Sequence, residues 1–282
     1  MTVGAALAAA AACLRRNAEL ADPGREGRFL LARLLRRPEA WLLGHPEAPL
    51  APEDEATFTT WIDRRRAGEP AHYIVGSCPF WGREMLVNPA VLIPRPETEL
   101  IVERALALRL PARPRLLDVG TGSGCIAVTL ALELAGSVVA ATDRSLAALS
   151  VARLNATRHG ARVAFACGDL AAHLAGPFDL VVANLPYIPD AEMATLPATV
   201  RDFEPPAALA GGADGADLLR HLVASVPHRL VPGGVALLEV GPGHAELLVS
   251  EITAAGLAML DPIRDAGDVA RVLVACRPPL PA

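Results

Sequence analysis

Asp118-Val119-Gly120-Thr121-Gly122-Ser123-Gly124 joins a strand-like segment, Arg115 to Val119, to a helical pattern that opens at Cys125. Glycines at alternate positions between a strand and a helix let the backbone come close to a ligand, where a Cβ would hold it off. In an open α/β sheet such a turn lies at the carboxyl edge, where nucleotide-like ligands bind. A dinucleotide site calls for G-x-G-x-x-G, whereas Cys125 follows Gly124 here and the third glycine falls one position early. A tight βα turn without a ligand would use the same residues, so the loop alone does not assign a function.

Outward from this loop, strand and helix signals alternate. Val138 to Thr142 precedes a helix from Leu146, and Val163 to Ala166 and Phe178 to Ala183 read as further strands. Two more are expected at Val235 to Val240 and Val269 to Ala275, with a helix from about Ala216 to Leu230. That alternation predicts an α/β fold, a parallel sheet covered on both faces. Upstream, apolar spacings of three and four (Leu30, Leu31, Leu34, Leu35; Phe58, Trp61, Ile62) predict helices, broken at Asp22-Pro23-Gly24 and from Pro46 to Pro52. Between Tyr73 and Leu92 the residues turn β-branched and aromatic, with Gly76, Gly82 and Asn88-Pro89 as turn signals, which predicts a β-hairpin. In Ile93-Pro94-Arg95-Pro96-Glu97-Thr98-Glu99 the prolines stiffen a loop, and Thr98 or Glu97 is positioned to open a helix running to about Leu110. The expected division is a small helical domain over 1–75, a hairpin linker over 76–93 and the α/β domain over 94–282. The loop from Ile188 to about Gly215 is long enough to be functional.

A chain of 282 residues with 52% apolar composition fits two domains. Its net charge of −5 provides no field to hold a polyphosphate, so protein or a small molecule is favoured as partner and stable nucleic-acid binding is not expected. All 26 basic residues are arginine, which removes Schiff-base lysine and P-loop chemistry. Cys13, Cys78, Cys125, Cys167 and Cys276 are scattered and form no C-x-x-C, which suits a reducing cytoplasm and suggests neither disulfides nor zinc. None of the seven histidines has metal spacing, and no metal is expected. The apolar run Val3 to Leu14 is followed, not preceded, by Arg15 and Arg16 and is shorter than the roughly 20 residues a bilayer requires, so it reads as a first helix and no membrane partner is expected. Ser123 lacks glycines two positions away on each side, so it is no nucleophile elbow.

The remaining candidates sit at strand ends. Asp143 closes the second strand, where a carboxylate can accept from both ribose hydroxyls or cap the next helix. Asp169 and Leu170 follow the third strand, where they can meet an adenine ring. The fourth strand delivers Asn184-Leu185-Pro186-Tyr187, although Asn-x-Pro after a strand is also a common turn.

Several segments carry a family likeness: Pro70 to Gly76, Phe80-Trp81-Gly82, Val91 through Glu99, the glycine loop, and Glu204 through Gly215. Together they resemble the protein-(glutamine-N5) methyltransferases that modify peptide chain release factors, the PrmC or HemK family. Ile-Pro-Arg-Pro-Glu-Thr-Glu is highly specific to that group, and an acid two residues before G-x-G-x-G is the form methyltransferases use for the methionine end of S-adenosylmethionine. The resemblance implies a Rossmann-like class I domain with a mostly parallel seven-stranded sheet, a helical domain that helps engage the release factor, and methylation of the glutamine in its Gly-Gly-Gln motif. By position, it implies cofactor contacts at Gly120, Thr121, Gly122, Ser123, Gly124, Asp143, Asp169, Leu170 and Asn184, and glutamine contacts at Asn184, Leu185, Pro186 and Tyr187.

An amide nitrogen is a poor nucleophile because its lone pair is delocalised into the carbonyl. Two acceptors on its two N–H groups would aim that lone pair at the sulfonium methyl. The Asn184 side-chain oxygen and the Leu185 carbonyl are the natural pair, with Pro186 fixing the turn and Tyr187 stacking on the flat amide. Two departures stand out: Leu185 replaces the first proline of the family's Asn-Pro-Pro-Tyr and loses the ring's restraint, and Leu170 stands where an aromatic residue often follows the acid. Asn-Leu-Pro-Tyr also resembles the motif of ribosomal RNA adenine dimethyltransferases, against which the acidic charge balance counts. A noncatalytic binding module on the same fold is the other alternative, opposed by the intact glycine loop, Asp143 and Asn184.

Overall fold

The computed structural model describes residues 1–171, 174 and 176–279. In chain order it forms α1 (Val3–Leu14), α2 (Pro23–Leu35), α3 (Glu39–Gly44), α4 (Pro52–Arg66), α5 (Ala71–Val75), β1 (Ser77–Phe80), β2 (Arg83–Leu86), α6 (Glu99–Ala107), β3 (Arg115–Val119) and α7 (Cys125–Glu133). There follow β4 (Val138–Asp143), α8 (Leu146–His159), β5 (Val163–Cys167), β6 (Phe178–Ala183), α9 (Ala198–Arg201), α10 (Asp217–Ser225), β7 (Leu230–Glu239), α11 (His244–Ala254), β8 (Ala258–Arg264) and β9 (Ala270–Cys276). The chain divides into two compact units, Met1–Ser77 with Leu196–Phe203, and Cys78–Thr195 with Glu204–Ala282.

The helical unit is built around Leu14, Leu30, Leu31, Leu42, Phe58 and Ile62. Burying a side chain of this size is worth about 1.5–3 kcal/mol. Asp22-Pro23-Gly24, read from sequence as a break, is a helix start. The Asp22 carboxylate accepts from Arg25 N at 2.9 Å, and Pro23 occupies the first turn, where a missing N–H costs nothing. Arg65 is buried beside Glu26, with Nε 2.8 Å from the carboxylate. Leu196–Phe203 belongs to this unit: a Cβ placed on Gly68 would lie 3.3 Å from the Phe203 ring. Among the described residues no helix is long and apolar enough to cross a membrane.

The hairpin begins at Ser77, not Tyr73. Tyr73 to Val75 are helical because Gly76, with φ 81°, ends α5 by donating its N–H to His72 O at 2.8 Å. β1 and β2 then pair through Trp81 and Gly82, whose φ values of 48° and 70° suit a two-residue turn matched to strand twist.

The large sheet has seven strands in the order β5-β4-β3-β6-β7-β9-β8. The β3–β4, β3–β6, β4–β5 and β6–β7 pairs are parallel, and β9 runs antiparallel to both β7 and β8. One face packs Leu219, Leu222, Leu248 and Ile252 from α10 and α11, and the other packs Ile101, Val102, Ile126 and Leu130 from α6 and α7. The chain moves outward from β3 to β4 and β5 and returns to β6 on the other side of β3, so a crevice opens at the carboxyl ends of β3 and β6. β8 and α11 escape the sequence reading. β8 is a mostly exposed edge strand whose Pro262 falls at a register shift between Leu260 and Ile263, so it lacks the apolar alternation that reveals a strand. The helix expected over 216–230 ends at Ser225, beyond which Val226–His228 is a tight 3-10 turn containing Pro227.

Candidate active site

At the crevice the backbone N–H groups of Gly120 and Thr121 both donate to Thr142 O at 2.9 Å, folding the glycine turn against the end of β4. Gly120, Gly122 and Gly124 have φ of 74°, 54° and 80°, a region an L-side chain rarely adopts. The three differ in what a side chain would meet. A Cβ on Gly120 would lie 2.7 Å from Leu185 Cδ2, and one on Gly124 would lie 3.0 Å from Ala152 Cβ. A Cβ on Gly122 would meet nothing within 4 Å, so that glycine leaves space open.

The Asp118 carboxyl is fully buried beneath the turn. Its Oδ2 accepts from Thr121 Oγ1 at 2.6 Å and Ala127 N at 3.2 Å, while Oδ1 has no partner. Burial pushes this carboxyl up to about 7 against those two hydrogen bonds, with the Asp143 charge adding to the rise. Asp143 Oδ2 accepts from Gly122 N at 2.9 Å and Oδ1 from Ser145 N at 2.8 Å. The cap of α8 is Ser145, whose hydroxyl accepts from Ala148 N at 3.1 Å, so Asp143 ties the glycine turn to β4 and is not itself the cap.

One cavity collects Gly120, Thr121, Gly122, Ser123, Asp143, Asp169, Leu170, Asn184, Leu185 and Pro186 from the sequence candidates. Gly124 and Tyr187 are not part of its lining: Gly124 is packed on α8, and Tyr187 lies on the next turn of chain. Sequence reasoning missed Val91, Pro94, Thr142 and Leu218, which also line it. The hydroxyls of Ser123 and Thr142 are buried without partners, like Asp118 Oδ1. Such orphaned polar atoms beside a glycine cradle fit a ligand that brings its own donors and acceptors.

Beyond β6, the Asn184 side chain donates from Nδ2 to Thr98 Oγ1 at 3.0 Å. That contact explains why Thr98, placed at the start of α6, makes no capping hydrogen bond: its hydroxyl serves Asn184 instead. Leu185 is 3% exposed, and its side chain fills the space that Gly120 leaves. Packing therefore restrains this turn where a proline ring is absent. Tyr187 packs edge-on to His244, ring centroids 6.3 Å apart, and burial, then the nearby Glu239 charge, pushes its phenol up to about 12.

The Glu204 to Gly215 segment braces this turn. Ile188 N donates to Leu209 O at 3.0 Å and Gly211 N to Ile188 O at 2.8 Å. A Cβ on Gly211 would stand 2.7 Å from Tyr187 Cα, and one on Gly215 would stand 2.3 Å from Tyr187 O. Glu204, buried, accepts from Ile93 N at 3.2 Å and from Arg95 at 2.5 Å, so Arg95 holds the proline-rich loop. Glu239, at the end of β7, is 2% exposed; burial pushes its carboxyl up to about 7, opposed by the nearby Thr98 hydroxyl, Arg271 charge and Asn184 amide. Thr98, Glu204, Glu239 and His244 were not read from sequence as site residues. Glu239 did leave a signal, a carboxylate inside the otherwise apolar run Val235 to Val240. Among the described residues no group of side chains is arranged to hold a metal ion.

Residues 5–76 match the family model of the PrmC N-terminal domain and residues 98–203 that of the methyltransferase small domain. The chain is 41% identical over 249 residues to the release factor glutamine methyltransferase of Geobacter sulfurreducens, covering 88% of this chain and 87% of the relative. It is 43% identical over 259 residues to the enzyme of the same name from Bordetella pertussis, covering 90% and 96%. Among solved structures, a methyltransferase from Pyrococcus furiosus aligns with a TM-score of 0.54 at 18% identity over 71% of this chain and 91% of that one. A 16S rRNA N2 G1207 methyltransferase from T. thermophilus, in complex with AdoMet and guanosine, aligns with a TM-score of 0.52 at 20% identity over 71% of this chain and 49% of that one. These two likenesses concern the fold.

Proposed function

The chain belongs to the release factor glutamine methyltransferase family, and from that membership we propose that it transfers a methyl group from S-adenosylmethionine to the side-chain amide nitrogen of a release-factor glutamine, the one in Gly-Gly-Gln. The observation that carries this reading is the Asn184 side chain, whose Nδ2 is committed to Thr98, leaving Oδ1 to accept from a substrate N–H.

S-adenosylmethionine supplies an electrophilic methyl on a sulfonium. Gly120 to Ser123 and the unpartnered Ser123 and Thr142 hydroxyls suit its methionine end. Asp143 retains a second lone pair on each oxygen for the ribose hydroxyls, and Leu170 with Asp169 borders the adenine position. Asn184 Oδ1 and the Leu185 carbonyl accept from the two amide N–H groups, turning the lone pair toward the methyl. Pro186 sets the turn and Tyr187 offers a ring face to the amide. The nitrogen sheds its proton after positive charge develops, so no strongly basic side chain is needed. Methylation of adenine in ribosomal RNA and a noncatalytic role are not favoured by the family assignment. We assign substrate engagement to the helical domain over 1–75, and five cysteines that form no disulfide among the described residues suit the cytoplasm. Stable nucleic-acid binding is not part of this reading.

The test is transfer of labelled methyl from S-adenosylmethionine to a purified release factor, with mass spectrometry locating the label. Loss of label when the Gly-Gly-Gln glutamine is replaced supports the assignment. Label on ribosomal RNA and none on the release factor refutes it.

A further inference from the structure

Glycines at alternate positions give the cofactor turn wide conformational freedom, so it keeps one shape only if its peptides are tied. The N–H groups of Gly120 and Thr121 go to Thr142 O, that of Gly122 to Asp143, and that of Gly124 to Thr121 O at 2.8 Å. The carbonyl of Ser123, at the other side of the Ser123–Gly124 peptide, is tied by a residue far along the chain. It accepts at 2.8 Å from Nδ2 of Asn155, a fully buried side chain on α8. The same amide holds both backbone groups of Leu86 at the end of β2. Leu86 N donates to Asn155 Oδ1 at 2.7 Å, and Asn155 Nδ2 donates to Leu86 O at 3.0 Å. Leu86 N can only donate and the two carbonyls can only accept, so these partners fix which way the amide faces.

We propose that Asn155 is a positioning residue for S-adenosylmethionine binding: its amide joins two walls of the cofactor cavity, the glycine turn and the segment that follows β2, and holds them at the spacing the cofactor needs. Ser123 lines the cavity from one wall, and Ala90, Val91 and Leu92 line it from the other. From Leu86 the chain reaches that second wall through a turn in which Asn88 Oδ1 accepts from Ala90 N at 2.9 Å and Asn88 O from Val91 N at 3.1 Å. Both walls are seated on one face of α8. Ala152 packs against Gly124, Asn155 binds Ser123 and Leu86, and His159 Nε2 donates to Glu84 O at 3.0 Å. The three bonds of Asn155 use both hydrogens of its amide nitrogen and its oxygen, a set that neither a carboxylate nor an apolar side chain of that size supplies. An apolar replacement leaves the buried Ser123 carbonyl without its donor. The peptide then turns toward another partner, and the cavity wall moves with it.

This inference rests on the cofactor assignment and not on the identity of the methyl acceptor. Cofactor Kd is measured by calorimetry for the parent, Asn155→Leu, Asn155→Ala and Leu248→Ala, with urea midpoints and steady-state kinetics on a release factor. Leu248 is fully buried on the opposite face of the sheet and does not line the cavity, so its truncation lowers stability with both walls intact. We expect Asn155→Leu to bind cofactor about tenfold more weakly or worse, the scale of a buried polar group left without a partner, and Asn155→Ala at least about threefold more weakly. Leu248→Ala binds cofactor as the parent does. Asn155 touches no reacting atom, so kcat at saturating cofactor and the KM for the release factor stay near the parent values in both Asn155 variants. Folded Asn155→Leu with the parent Kd overturns the inference, as does a loss confined to kcat. Equal weakening in Leu248→Ala also overturns it, because the loss then belongs to stability. If Asn155→Leu does not fold, Asn155→Ala decides, and a parent Kd there overturns the inference. A parent protein that does not bind S-adenosylmethionine sinks the cofactor assignment itself.

Discussion

The contact between Gly120 and Leu185 makes a quantitative prediction. Gly120→Ala brings two penalties. Alanine at φ 74° pays the left-handed cost, about 1–2 kcal/mol. Its Cβ would also stand 2.7 Å from Leu185 Cδ2, and since Leu185 is 3% exposed its side chain cannot swing clear into solvent, which adds about 1–3 kcal/mol of overpacking. The single variant should therefore lose roughly 2–5 kcal/mol. Leu185→Ala alone leaves a cavity and should lose about 2–5 kcal/mol. In the double variant the new methyl occupies part of that cavity and the clash is gone, so the combined loss should fall short of the sum by about 1–3 kcal/mol. Urea denaturation of the four proteins, with linear extrapolation, measures this coupling. Losses that add within about 0.5 kcal/mol would show that Leu185 and Gly120 do not bear on one another, and the account of how the turn is restrained without a proline would be wrong.

Asn184→Ala should leave cofactor binding measurable while methyl transfer falls about 100-fold or more, the usual cost of deleting one aimed hydrogen-bonding group; a rate near the parent's refutes the two-acceptor account. Asp118 and Glu239 both have carboxyls raised to about 7, so between their ordinary values of 3.8 and 4.5 and pH 7 the folded protein holds protons the unfolded chain has released. Stability contributed by these acids is complete below about pH 4 and lost as pH rises through 7, by on the order of 4 kcal/mol for Asp118 and 3 kcal/mol for Glu239. Thermal midpoints of Asp118→Asn should accordingly fall less steeply than the parent's between those limits, and parallel curves count against it. Arg95→Ala strips the ion pair from Glu204, whose side chain is 1% exposed, and should cost about 3 kcal/mol, of which Glu204→Gln on the same background restores a part; an unchanged urea midpoint argues against the bracing role of Arg95.

The centre of the parallel sheet was legible because its strands are buried on both faces and carry apolar runs, Leu180 to Ala183 of β6 being the clearest. The glycine turn was legible because glycine is the residue that adopts positive φ most readily, and three at alternate positions stand out in the sequence. Thr98 was not, since its bond to Asn184 spans 86 positions of sequence and nothing local records it; a threonine before a helix reads as a cap until its actual partner is seen. Gly211 and Gly215 were noticed only as part of a family likeness, and their physical reason, a backbone passing within a Cβ radius of Tyr187, exists only in three dimensions.

The antiparallel strand β9 is inserted between β7 and β8, although it follows both in the chain. For biosynthesis this means that β7 keeps an open hydrogen-bonding edge until the ribosome has passed Cys276, because β8, made earlier, touches β9 and not β7. The last rung of that edge pairs Glu239 with Val272. A nascent chain stalled after β8 would thus have synthesised the cofactor turn and the Asn184 segment while the strand bearing Glu239 still lacked its outer neighbour. Such an unpaired edge invites pairing with another chain, so the segment most in need of chaperoning during synthesis is the one that carries the buried Glu239.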